Sequence, residues 1–378
     1  MQESFTANLP GHMTVPGKIY VDEEALHTPL ARKVMRKLPG IPVKTVRAGQ
    51  DIFRENPQNN FPAIYLKHYR GKFLRPCPAT RTYRCCGYQI IHIGENCPLN
   101  CSYCILQAYF HDQILKVWAN QSDLWSELDS AFGRDNSRLF RVGTGEFTDS
   151  LALEHLTEYT SDLVGFLENY PNVRLELKSK IIDLSWMKKT SSNRNILPAW
   201  SVNSPDIVST EEAGASTLEE RLQAARYCAD QGFRVCLHFD PIIHYPGWEK
   251  GYSRTVQMIL DYLRPENIAY ISLGSFRYMP GLKDMIMRNH PGSTYIYNEF
   301  ISGMDGKTRL LLPLRLEQFR SIAGKLRHGG LSTQIYFCME SDLVWKDVLG
   351  YTPKDLGGLA KHLLKLSFQR EPDNYIFD

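Results

Sequence analysis

From residue 88 onward, short β-type runs alternate with longer stretches of helical periodicity. Tyr88–Ile93 predicts a strand ending at Gly94. Residues 112–131 predict a helix, with Ile114, Leu115, Val117, Trp118, Leu124 and Leu128 as apolar anchors. Strands are predicted at Arg138–Val142, Val173–Leu177, Ile196–Val202, Phe233–Phe239 and Ile268–Leu273. Between them lie predicted helices at Leu151–Leu167, Ile182–Lys189, 216–230 and Trp248–Leu263, followed by one at Leu282–Asn289. Ser216 with Glu219 reads as a capping box for the third of these. Further on, Asp305-Gly306 predicts a type I′ hairpin between Phe300–Ser302 and Thr308–Leu312. A helix at Leu316–Arg327 and a last strand at Thr333–Cys338 complete the series.

Strands separated by helices of this length predict a parallel sheet with right-handed crossovers. Six such units from Tyr88 to Asn289 fit an α/β fold of the partial TIM-like (β/α)6 type. Chemistry in such barrels gathers at the C-terminal ends of the strands. The unusual residues do fall there: a cysteine loop after the first strand, Gly143–Glu146, Lys178, Ser201–Asn203 and Asp240–Tyr245. The expected organisation is an irregular extension over 1–85, the barrel over 86–295, and a hairpin, helices and last strand over 296–378. Within the extension, periodicity supports strands at Lys18–Val21 and Val43–Val46 and a short helix at Pro29–Leu38.

Composition narrows the class. Of 378 residues, 43% are hydrophobic and 22% charged, as in a soluble globular chain. No apolar run approaches the ~20 residues of a membrane helix. The opening MQESFTANLPGH lacks the basic-then-apolar layout of a secretory signal, so a cytoplasmic location is expected. Nine cysteines in such a chain point to metal rather than to a disulfide framework. The net charge of +3 says little, but Asn56 to Gly94 contains no acid. That stretch holds Lys67, Arg70, Lys72, Arg75, Arg81 and Arg84 among Tyr65, Tyr69, Phe73 and Tyr83. It can neutralise phosphates and stack on bases, or it can be a solvated surface whose aromatics pack on the domain.

Cys97-Pro-Leu-Asn-Cys101-Ser-Tyr-Cys104 carries the chemistry. Three thiolates in one tight loop can ligate three irons of a [4Fe–4S] cluster and leave the fourth open. Zinc usually takes four ligands, often as two C-x2-C pairs, and no second pair is present. C-x3-C-x2-C after the first strand of a βα barrel resembles the signature of the radical SAM superfamily. Further along, the chain is similar to the spore photoproduct lyase family, from about Lys18 to Cys338. The matching stretches are Cys101–Gln107 (CSYCILQ), Thr148-Asp149 with Glu154-His-Leu156, Lys178, Ser201-Val-Asn203 and Asp240–Tyr252 (DPIIHYPGWEKGY).

This resemblance implies a radical SAM barrel, with S-adenosylmethionine across the strand ends and a 5′-deoxyadenosyl radical as the reactive species. It implies a substrate such as damaged or modified DNA and an electron donor such as flavodoxin or ferredoxin. Cys97, Cys101 and Cys104 would ligate the cluster. Thr148, Asp149, Lys178, Ser201 and Asn203 would hold or flank S-adenosylmethionine, and Tyr103 would approach its adenine. Gly143, Thr144, Gly145 and Glu146 are similar to the loop that binds the methionyl amine, with Glu146 as acceptor.

Two positions depart from the lyases. Their hydrogen-donor cysteine is replaced by Glu146, and the tyrosine of their radical relay by Ile105. Cys338, at the end of the last strand, is a candidate substitute thiol. His244 and Tyr245 are candidate substrate contacts, whereas His238, Cys228 and Cys236 read as core. Cys85 and Cys86 precede the first barrel strand and should lie at the opposite face. The alternatives are a radical enzyme acting on a small molecule, peptide or RNA nucleotide, and a nucleic-acid-binding protein with a structural cluster.

Overall fold

The structure, a computed structural model, describes residues 15–47, 52, 63–78, 82–110, 112, 114–191 and 194–369. The opening residues and Arg81 lie outside that set. The chain begins with β1 (Lys18–Asp22), α1 (Pro29–Lys37), β2 (Val43–Val46), β3 (Ala63–Lys67) and β4 (Leu74–Pro76). Next come β5 (Gln89–Ile91), β6 (Gly94–Glu95), β7 (Asn100–Cys101), α2 (Leu106–Tyr109), β8 (Leu115–Trp118) and α3 (Gln121–Phe132). The middle of the chain forms β9 (Phe140–Gly143), α4 (Glu154–Thr157), α5 (Tyr159–Leu167), β10 (Val173–Ser179), β11 (Ile196–Ser201), α6 (Pro205–Glu211) and β12 (Glu212–Ala213). It continues with α7 (Leu218–Asp230), β13 (Val235–Ile242), α8 (Trp248–Tyr262), β14 (Ile268–Ser275), β15 (Arg277–Tyr278) and α9 (Leu282–Asn289). The last part holds β16 (Phe300–Ser302), β17 (Thr308–Leu310), α10 (Leu312–His328), β18 (Ile335–Phe337), α11 (Asp342–Leu349) and α12 (Leu359–Phe368).

The main sheet has the order β18-β14-β13-β11-β10-β9-β5-β4. All its pairs are parallel except β4–β5 at the edge. This is the expected partial (β/α)6 barrel, extended by β18. Its central strands are buried at nearly every position because helices cover one side and the lumen the other. All eight residues of β14 are buried.

The extension is more ordered than its weak periodicity predicts. It forms a second sheet, β2-β1-β3-β8-β6. α1 starts where Thr28 caps Ala31 N at 3.2 Å, with Pro29 at the first helical position. The predicted helix over 112–131 begins too early. Leu115–Trp118 is a strand paired parallel to β3, and the helix starts only at Gln121. A continuous apolar run does not separate the two periods, and tertiary pairing decides. The predicted helix Leu151–Leu167 is broken at Glu158, whose φ is +53°. Glu158 pairs with Lys33 and Lys37 of α1, which ties the small sheet to the barrel.

The capping box lies one residue later than predicted, with Thr217 and Glu220. The hairpin turn is not type I′, because Gly306 takes a positive φ (+75°) and Asp305 does not. Gly306 N donates to Gly303 O at 3.0 Å and Gly303 N to Lys307 O at 2.8 Å, which makes a three-residue loop with a bulge. Among the described residues, no helix is long and apolar enough to cross a membrane.

Candidate radical active site

The three-cysteine loop is fixed from several sides. Asn96, buried and at φ +67°, donates its amide to the carbonyls of Asp112 (2.9 Å) and Ile114 (2.8 Å). β7 pairs antiparallel with β12, and Ser102 N donates to Glu211 O at 2.9 Å. Gln107 donates its amide to the carbonyls of Cys101 (3.2 Å) and Ser102 (2.9 Å). The Tyr103 hydroxyl donates to Glu212, which is also paired with the fully buried Arg221.

Burial pushes all three thiols up from their ordinary range, Cys101 to about 12. The loop counters this with N–H groups of Leu99 toward Cys97 and of Leu106 and Gln107 toward Cys104. The charge of Lys180 favours the thiolates of Cys101 and Cys104. Among the described residues, no three His, Cys, Asp or Glu side chains converge on a single metal ion. A cubane suits the loop, because each thiolate binds a different iron and the sulfurs need not meet at one point. Amide donors and a nearby cation are the protein groups that tune such a cluster.

The strand-end residues gather beside this loop. Gly143 and Gly145 are required by close packing. A Cβ at Gly143 would lie 1.7 Å from the Tyr88 hydroxyl, and one at Gly145 would lie 2.8 Å from Lys178 O. The Thr144 hydroxyl donates to Ser150 at 2.8 Å, and the buried Thr148 hydroxyl has no protein partner. Glu146 and Lys178 face each other at 3.6 Å. The Asp149 carboxylate accepts from Leu151 N, Ala152 N, Ser179 Oγ and Lys180 N, at 2.7–3.0 Å. It thereby aims Lys180, whose ammonium lies 5.7 Å over the Tyr103 ring. Asn203 is buried, donating to Pro241 O (3.1 Å) and accepting from the Tyr252 hydroxyl (2.5 Å). Ser201 is buried, and its carbonyl accepts from Arg221 at 2.9 Å.

Below the mouth, the lumen is closed by a polar layer. Glu176 accepts from the Tyr270 hydroxyl and lies 3.3 Å from His238 Nε2 and 3.8 Å from Arg141. His238 is thus a partnered core group, and Cys228 and Cys236 are fully buried. Above this layer, Arg277 grips Asp240 through both terminal nitrogens at 3.2 Å. Its Nη2 also donates to Cys338 Sγ at 3.4 Å. Cys338 is partly exposed at the C-terminal end of β18. His244 and Tyr245 are tied into the wall: His244 to Asn298 at 3.1 Å, and the Tyr245 hydroxyl to Ser204 at 2.8 Å.

Three groups at the mouth carried no local sequence signal: Arg277, the partner of Asp240, with Lys180 and Cys77. Cys77 is brought there because β4 folds back along β5, and its thiol feels Glu146, Cys86, Cys338 and Lys178.

In the acid-free stretch, the aromatics are mostly used for packing. Tyr65 is bound to Asp22, Tyr69 stacks on Trp118 (4.6 Å), and Phe73 is buried. Arg70 pairs with Glu24, Arg84 with Asp342, and Arg75 contacts His92 (2.8 Å). On the hairpin, Arg309 is buried against Asp305 (2.7 Å) rather than offered to solvent.

The sequence model of the family described as spore photoproduct lyase matches residues 14–301. A spore photoproduct lyase from Geobacillus is 23% identical over 287 residues, covering 73% of this chain and 83% of that protein. The corresponding protein of Bacillus subtilis is 21% identical over 296 residues, with the same coverage. A solved spore photoproduct lyase variant with bound AdoMet and dinucleoside spore photoproduct superposes with a TM-score of 0.70. It is 19% identical, and the match covers 85% of this chain and 98% of that one.

Proposed function

Because the chain belongs to the spore photoproduct lyase family, we propose that it is a radical enzyme acting on damaged or modified DNA, with hydrogen returned by Cys338. Members of this family are radical SAM enzymes that use a [4Fe–4S] cluster and S-adenosylmethionine. The thiols of Cys97, Cys101 and Cys104 suit that cluster, with Lys180 as the adjacent cation. Bound together, cluster and cofactor supply the carbon-centred radical that takes hydrogen from substrate. Thr148, Lys178, Glu146 and the Gly143–Gly145 backbone are the groups proposed to meet S-adenosylmethionine, with Asp149, Ser201 and Asn203 holding their frame. Tyr103, clamped by Glu212, presents its ring and backbone to the adenine side. His244 and Tyr245 shape the substrate wall.

One observation carries the reading: the partly exposed Cys338 opens on the same strand-end mouth as the cluster loop, held by Arg277 at 3.4 Å. In the closing step, the Cys338 S–H bond breaks and a C–H bond forms on the substrate radical. The resulting thiyl returns to thiol with one proton and one electron from a flavodoxin- or ferredoxin-type donor. The test is anaerobic turnover of lesion-containing DNA in D2O, because a thiol proton exchanges with solvent. Expected are 5′-deoxyadenosine and product carrying solvent deuterium, with the deuterium lost in Cys338→Ala. Formation of 5′-deoxyadenosine with phosphorylated small molecules but not with DNA would move the substrate class.

A further inference from the structure

We propose that Lys307, with Arg277 beside it, forms an anion subsite at the barrel mouth that takes a phosphate group of the substrate. This deepens the proposed function and rests on a substrate that carries phosphate.

The wall formed by the end of β13, β15, the hairpin turn, β17, the start of α10 and the segment after β18 holds four cations, Arg277, Lys307, Arg309 and Arg315, against three carboxylates, Asp240, Asp305 and Glu340. Each arginine has its own acid: Arg277 with Asp240 at 3.2 Å, Arg309 with Asp305 at 2.7 Å, and Arg315 with Glu340 at 3.0 Å. Lys307 is the surplus. Its ammonium reaches the Met339 thioether at 3.4 Å, a weak acceptor. Asp305, the nearest acid in sequence, is already held by Arg309 and by Lys307's own amide at 3.3 Å.

Lys307 is half-buried, and a partly desolvated cation without an anion is costly. Burial and the charge of Arg277 both push its ammonium down from its usual value, which a bound anion would reverse. Arg277 reaches the Cys338 thiol at 3.4 Å and Lys307 the adjacent Met339 at 3.4 Å, so the bound anion would lie near the thiol. A phosphate fits the excess charge and accepts several hydrogen bonds at once. The bulge at Gly306 fixes the backbone from which the Lys307 side chain extends.

The experiment is calorimetric titration of the cluster-loaded protein with thymidine 5′-monophosphate, thymidine and inorganic phosphate. The wild type is expected to bind the monophosphate at least tenfold more tightly than the nucleoside. Lys307→Gln should abolish that gap, and Lys307→Arg should keep most of it. Equal binding of nucleotide and nucleoside by the wild type, binding of neither, or a gap that survives in Lys307→Gln overturns the subsite. Failure of the DNA reading looks different: the phosphate gap persists while lesion DNA yields no 5′-deoxyadenosine.

Discussion

Arg221 and Glu212 form a fully buried ion pair, 2.5 Å apart, directly behind the three-cysteine loop. The second carboxylate oxygen takes the Tyr103 hydroxyl. The pair therefore joins α7, β12 and the loop at one point. Glu212→Ala would leave Arg221 buried without a counter-charge, a change that costs about 3–5 kcal/mol. Urea unfolding of the cluster-free protein should show that loss, and iron content after reconstitution should fall. The same carboxylate predicts acid sensitivity. Burial raises the Glu212 pKa, but Arg221 and Lys180 outweigh burial and leave it below its ordinary value. Burial likewise opposes ionisation of Glu176, yet His238 and Arg141 hold it at about 2. A carboxyl depressed on folding stabilises the native state above its unfolded pKa, and that contribution fades as pH falls toward the folded value. Stability should therefore decline from about pH 4.5 downward, and less steeply in Glu176→Gln.

Alanine at Cys97, Cys101 or Cys104 should abolish the visible absorbance of the cluster and 5′-deoxyadenosine formation together. Removing one thiolate exposes a second iron. A triple-alanine protein that still produced 5′-deoxyadenosine would end the radical reading.

The spore photoproduct itself should be a poor substrate. By the resemblance to the lyases, a hydrogen-donor cysteine would stand at the position of Glu146, which here faces Lys178 at 3.6 Å. Ile105 cannot serve as a radical relay. Here the candidate donor thiol stands at the end of β18 instead. Anaerobic incubation with the dinucleoside lesion should give less than one equivalent of thymidine product per enzyme. Multiple turnovers would refute the roles given to Glu146 and Ile105.

Nucleic-acid affinity should depend on salt less than the acid-free stretch implies. Four free cations at Lys67, Arg70, Lys72 and Arg75 would give a logarithmic slope of about 3.6, at roughly 0.9 per phosphate contact. Arg70 is held by Glu24 and Arg75 is turned inward onto His92 and the Phe147 ring, which leaves Lys67 and Lys72. Fluorescence anisotropy at several salt concentrations should show the quadruple alanine variant losing about 1.8 in slope. A loss near 3.6 would mean that these internal pairs open on binding.

The barrel was readable because its short β-type runs are spaced by helices of regular length. Cys97, Cys101 and Cys104 stand out because three cysteines fall within eight residues of one loop. What stayed hidden depends on distant partners. Leu115–Trp118 became a strand only because β3 lay open beside it. Arg309 is buried against Glu340 and Tyr83, neighbours that nothing near it in sequence predicts. Cys77 reached the mouth through an antiparallel edge pairing that three residues of β4 cannot signal.

Between β5 and β9 the chain leaves the barrel, adds β8 to the small sheet beside β3, and returns through α3. The cofactor loop lies inside that excursion. During synthesis, β1, β2 and β3 emerge before the strand that joins them to the rest. They must wait for β8, and the first barrel strand must wait for β9, before either sheet is complete. The two layers are thus laced together by one thread, and the cysteines sit in the stitch. A truncation that removed the first sheet would leave β8 without its parallel partner and loosen the segment carrying Asn96 and Cys97. The amino-terminal layer is therefore a frame for the three-cysteine loop, and a shortened chain should lose iron uptake before it loses its helices.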